Sequence, residues 1–159
     1  LNSAKVIIYG YGNPGRQDDG LGPALVERLE GEALPGVETR SAFQLNIEDA
    51  QTIADAGTVI FVDASMTGDG PFAFHEIVPS AQITFTTHAM SPGSVLALCQ
   101  DLFNPERRAY MLSIRGYEWE FREGFSAGAS GNLEQAYAFV MEKLAECVSR
   151  VDGAVLSVH

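Results

Sequence analysis

Short apolar runs of β-forming residues alternate along this chain with segments whose apolar residues recur at helical spacing. That alternation limits the possible folds more than any other feature. Lys5-Val6-Ile7-Ile8-Tyr9 is the first run, and Thr58-Val59-Ile60-Phe61-Val62 is the clearest, five β-formers leading into Asp63. Both read as buried strands. Residues 37–41, 72–78 and 109–115 read as further strands, and the Gly70-Pro71 entry marks 72–78 as an edge or hairpin strand. Helical spacing follows Pro23, which suits a first turn, and Gly31 is the expected stop. It recurs over 45–56, closed by Gly57, and again from Ser94 to Leu102. A long last helix is expected behind Asn132 as its cap, with Leu133, Ala136, Tyr137, Val140, Leu144, Ala145 and Val148 as one stripe. Strands alternating with helices specify a parallel sheet covered on both faces. The expected architecture is α/β: a three-layer α/β/α sandwich with a mostly parallel twisted sheet and one antiparallel edge strand, residues 1–159 forming a single domain.

Composition narrows the class. Hydrophobic residues make up 46% of the chain and charged ones 19%, which is globular. No apolar run approaches the roughly 20 residues of a membrane span. The first residues lead straight into a strand with no signal-like stretch, so a cytoplasmic protein without a membrane partner is expected. The formal net charge is −11, and no basic cluster exceeds Arg107-Arg108. Nucleic acid is therefore not an expected partner, whereas a basic peptide is compatible with the charge. Cys99 and Cys147 fall in different expected helices without CxxC spacing, so neither a disulfide framework nor a thiolate zinc site is indicated. A monomer is expected.

In an open α/β sheet, ligands bind beyond the carboxyl ends of the strands, at the switch in strand order. Three segments carry suitable chemistry. Gly10 to Gly22 follows the first strand and contains Asp18 and Asp19 where a helix begins. Its glycines lack the third position of a dinucleotide fingerprint, no P-loop lysine is present, and two carboxylates would repel a pyrophosphate. One of the two acids is expected to cap the helix, leaving the other for the crevice. Asp63 closes the clearest strand, where an aspartate either starts a turn or faces a ligand. His88 lies in a loop before a helix, unlike His75 in a strand pattern and His159 in the tail. A carboxylate from each rim segment plus one imidazole forms a three-ligand set with open positions, suited to a divalent ion such as Zn²⁺, Ni²⁺ or Mn²⁺.

The run Gly12-Asn13-Pro14-Gly15-Arg16-Gln17-Asp18-Asp19-Gly20-Leu21-Gly22 closely resembles the opening motif of the [NiFe]-hydrogenase maturation endopeptidases. Val59-Ile60-Phe61-Val62-Asp63-Ala64 is similar to the family's aspartate-terminated strand, and His88, ahead of Val95-Leu96, to its histidine. Ile114-Arg115-Gly116 and Gly124-Phe125-Ser126 resemble its last loop, so the likeness covers nearly the whole chain. The resemblance implies that Asp19 rather than Asp18, together with Asp63 and His88, forms both the metal site and the catalytic site. It implies a metal-dependent endopeptidase that removes the C-terminal extension of the [NiFe]-hydrogenase large-subunit precursor after nickel insertion. The divalent metal is then either the Ni²⁺ of the substrate or a resident ion of the Ni²⁺, Zn²⁺ or Mn²⁺ type. The alternative is a non-catalytic metal- or nickel-binding maturation chaperone using the same Asp/Asp/His site.

Overall fold

The computed structural model describes residues 5–79, 85–86, 89–103 and 107–157, with 85, 86 and 147–157 described by backbone alone. The elements run β1 (Val6–Tyr11), a 3₁₀ turn (Gln17–Gly20), α1 (Leu21–Glu32), β2 (Val37–Ala42), α2 (Asp49–Thr52), β3 (Thr58–Ser65) and β4 (Phe72–Glu76). Then come β5 (Phe85–Thr86), β6 (Ala89–Met90), α3 (Pro92–Phe103), β7 (Arg108–Arg115) and α4 (Ala127–Ser157). The main sheet has the order β2-β1-β3-β7-β4, while β5 and β6 pair separately. β1 runs parallel to both β2 and β3, and β3 runs parallel to β7. β4 closes the sheet as an antiparallel edge strand against β7. The expected sheet, mostly parallel with one antiparallel edge, is the observed one.

Period-two alternation within the buried strands divides the core into two layers. Val6 and Ile8 of β1, Ile60 and Val62 of β3, and Leu112 and Ile114 of β7 pack against α1 and α4 through Leu21, Leu25, Leu29, Leu133, Ala136, Val140 and Leu144. Ile7, Tyr9, Val59 and Phe61 face the other way, onto Leu45, Ala50 and Ile53 around α2 and onto Val95 and Cys99 of α3. Burying such strands on both sides is what makes the sheet the rigid centre of the molecule, at about 25 cal/mol per Å² of apolar surface removed from water.

Three expectations are corrected. Residues 45–56 form only the short α2 within turns, although Leu45, Ala50, Ile53 and Ala56 are buried as their spacing requires. The buried Asp49 accepts from the Tyr9 hydroxyl at 2.6 Å and from Asn46 N–H at 2.7 Å, which pins the entry. The Arg107 guanidinium takes the Ile53 and Ala54 carbonyls, which a longer helix would need for itself. Helix α1 runs past Gly31 and ends at Ala33, whose N–H bonds the Glu30 carbonyl and whose left-handed φ of 49° turns the chain out of the helix. Helix α4 starts at Ala127, ahead of Asn132. Its cap is Ser126, whose Oγ accepts from Ala129 N–H at 3.2 Å. Asn132 instead donates from its amide to the Arg115 carbonyl and the Tyr117 hydroxyl. In the expected stripe, Ala145 is exposed and the Val148 side chain lies outside the described residues.

Candidate functional site

The chain leaves β1 for β2 on one side while β3 lies on the other, so strand order reverses between β1 and β3. The loop leaving β1 and the carboxyl end of β3 therefore meet at the rim where α/β sheets bind ligands. Two glycines let them meet closely. A Cβ on Gly22, in the first turn of α1, would lie 2.8 Å from the Tyr11 carbonyl oxygen and would also strike that of Val62, so helix and strand ends touch there through backbone. Gly12 has φ of +141°, and the Asp19 carbonyl fills the space a side chain would need. The glycines thus bring backbone to backbone, which is a different task from cradling a phosphate.

Asp19 sits in the 3₁₀ turn, half-buried, and its Oδ2 accepts from Asn13 N–H at 2.8 Å. Asp63, on β3, accepts from Ala64 N–H at 2.8 Å through Oδ1. Odd-numbered residues of these strands face the α2/α3 layer, so Asp63 shares its face with Tyr11. Burial pushes the Asp63 carboxyl up to about 7; the Ala64 N–H opposes the rise, the negative charge of Asp19 adds to it, and the hydrogen-bonding Tyr11 hydroxyl opposes it. Burial, followed by the charge and hydrogen bonding of Asp63, raises the Tyr11 hydroxyl in turn. Two carboxylates thus repel one another across one crevice, and one of them is drawn toward protonation.

A divalent cation suits that oxygen donor set, since it would offset both the repulsion and the desolvation. Of the three residues expected at the site, the structure brings Asp19 and Asp63 together, while His88 lies outside the described residues. Among the described residues, no three His, Cys, Asp or Glu side chains form a metal-binding group. Of the two cysteines, Cys99 is buried and free against Arg107, and the side chain of Cys147 lies outside the described residues.

Neither acid caps α1, whose N-cap is Gly20 with no side-chain bond. Asp18 is fully buried and joins two distant loops. Its Oδ2 accepts from Tyr117 N–H at 2.7 Å, Glu118 N–H at 2.9 Å and the Ser126 hydroxyl at 2.7 Å, while Oδ1 accepts from Ser126 N–H at 2.9 Å. Burial alone would raise this carboxyl; the four hydrogen bonds outweigh it and hold Asp18 below the usual carboxylate range. Gln17, buried at a φ of 48°, adds its N–H to the Arg122 carbonyl and accepts from Glu120 N–H. Arg16 Nε donates to the Trp119 carbonyl. Reading the sequence missed this tie, and it also missed Tyr11. Tyr11 had a signal, since it stands two residues after the core-facing Tyr9 on the same strand face.

The fold matches solved structures. The [NiFe] hydrogenase maturation protease HycI from Thermococcus kodakarensis KOD1 superposes with a TM-score of 0.72 at 21% identity, covering 89% of this chain and 93% of that one. The hydrogenase maturating endopeptidase HYBD from E. coli gives 0.66 at 19% identity over 89% and 93%. The hydrogenase 2 maturation peptidase from Thaumarchaeota archaeon SCGC_AB-539-E09 gives 0.65 at 19% over 88% and 97%. No protein-family model and no curated protein matches the chain. The chain therefore has the fold of the hydrogenase maturation proteases.

Proposed function

We propose that this chain is an endopeptidase that removes the C-terminal extension of a [NiFe]-hydrogenase large-subunit precursor in the cytoplasm, after nickel has been inserted. The observation that carries the reading is the pairing of Asp19 and Asp63 at the β1/β3 switch of a fold shared with hydrogenase maturation proteases. In this reading Asp19, Asp63 and His88 engage the nickel of the precursor, which belongs to the substrate. A resident Zn²⁺, Ni²⁺ or Mn²⁺ held by the same residues is the other form of the site. Such an ion, when bound, supplies Lewis-acid polarisation of a carbonyl or of water.

The contribution of the chain itself is preorganisation. The N–H groups of Asn13 and Ala64 each engage one oxygen of their carboxylate, fixing Asp19 and Asp63 before substrate arrives. Tyr11 closes the inner side of Asp63 with a hydroxyl that stays protonated at neutral pH. The backbone contacts at Gly12 and Gly22 fix the spacing of the loop that carries Asp19 over the end of β3.

The test is mass spectrometry of nickel-loaded and nickel-free precursor after incubation with the protein. Loss of a C-terminal fragment from the loaded precursor alone is the expected result. Nickel binding without cleavage of either form would replace the protease reading with the non-catalytic chaperone.

A further inference from the structure

The carboxyl ends of β2, β1, β3 and β7 lie along one rim, and at neighbouring spacings of about 4.8 Å they extend roughly 15 Å around the Asp19/Asp63 crevice. Large apolar side chains stand in the open on that rim. Phe43, the residue after β2, is 72% exposed; Met66, the residue after β3, 65%; and Phe121, on the loop after β7, 82%. Exposed apolar residues scattered singly require no explanation, but these three follow strands whose ends share one rim, the rim that holds the crevice.

The β7–α4 loop is held still. Nine hydrogen bonds tie residues 16–18 to residues 117–126: four to the Asp18 carboxylate, and one each from the Asp18 N–H to Glu118, the Gln17 N–H to Arg122, Glu120 to the Gln17 side chain, that side chain to Glu118, and Arg16 to Trp119. The Arg16 guanidinium lies 5.0 Å from the Phe121 ring centroid and supports that ring from one side. An aromatic side chain left in water on a loop already fixed in shape loses little entropy on being covered, which is the property of a binding anchor. The same loop exposes Glu118, Glu120 and Glu123 against the single guanidinium of Arg122, on a chain of net charge −11. Its complement is an apolar pocket flanked by basic side chains.

We infer that Phe121 and its fixed loop, with Met66 and Phe43 along the same rim, form a docking surface for the folded body of the protein substrate, which presents a basic-rimmed apolar patch beside the segment to be cut. This rests on the endopeptidase reading and adds to it. Recognition then has two parts, one at the carboxylate crevice and one on the surrounding rim.

The experiment measures binding of the nickel-loaded large-subunit precursor from the same organism to immobilised wild type, Phe121→Ser and Leu102→Ser at low and moderate salt. Leu102 is 62% exposed near the end of α3, away from this rim, and serves as the control. Because Phe121 is solvent-exposed, its replacement should leave the melting temperature within a degree or two. Phe121→Ser should weaken binding on the order of tenfold or more, Leu102→Ser should not, and added salt should weaken the wild-type complex. A precursor that wild type cleaves but that Phe121→Ser binds equally well would overturn the docking surface and leave the protease reading standing. A wild type that neither binds nor cleaves the precursor would overturn both.

Discussion

Asp18 and Asp19 are adjacent, yet their carboxylates are committed to unrelated partners: Asp18 to the backbone and hydroxyl groups of residues 117–126, and Asp19 to the Asn13 N–H beside Asp63. Removing them should therefore have different consequences. Asp18→Ala removes a fully buried carboxylate and leaves three N–H groups and a hydroxyl without their acceptor; it should cost about 3 kcal/mol, well above the ~1 kcal/mol of a lost helix cap. Asp19→Ala should cost about 1 kcal/mol and abolish processing. Urea melts of both variants, paired with a cleavage assay, separate the two roles.

The protonation of Asp63 predicts a pH dependence. Its carboxyl lies at about 7 when folded, against an ordinary 3.8. The folded state binds the extra proton between those values, so this group stabilises the fold relatively at low pH. That stability is lost as pH rises from about 4 through about 7, amounting to roughly 4 kcal/mol at most. In EDTA, Asp63→Asn should thus melt higher than wild type at pH 8 and close to it at pH 4. Adding a divalent cation at pH 8 should raise the wild-type midpoint and leave that of Asp63→Asn nearly unmoved.

Gly22 is where helix α1 meets the ends of β1 and β3 through backbone alone. Gly22→Ala should push the helix away from the Tyr11 and Val62 carbonyls and destabilise by about 3 kcal/mol. Calorimetry reads the stability. An alanine variant as stable as wild type would mean that the contact is not tight.

His88→Ala should abolish processing of nickel-loaded precursor while the circular dichroism spectrum and melting temperature stay those of wild type. Processing at the wild-type rate would remove His88 from the site.

The sheet was legible because its strands are short apolar runs with no competing helical period, as in Val59 to Val62. Asp63 was legible as a rim residue because that run ends in an acid. What escaped depended on partners far away in sequence. Nothing local distinguishes Asp18 as the tie to residues 117–126, because its donors lie about a hundred positions downstream. Asn132 looked like a cap for the same reason: its amide has local propensity for one, yet its partners are Arg115 and Tyr117 across the loop. The spacing over 45–56 identified the buried residues but not the break in the helix, where Arg107, just ahead of β7, takes the Ile53 and Ala54 carbonyls.

The tie between residues 16–18 and 117–126 also has a temporal consequence. Its partners are separated by 99 to 108 positions, so during synthesis the loop that carries Asp19 must wait for Ser126 to emerge before it is locked. The sheet strands that flank the crevice precede that moment, and the rim is completed after them. A nascent chain therefore holds every strand of the sheet before it can complete its working edge, and that edge closes only as α4, which covers one face of the sheet, follows.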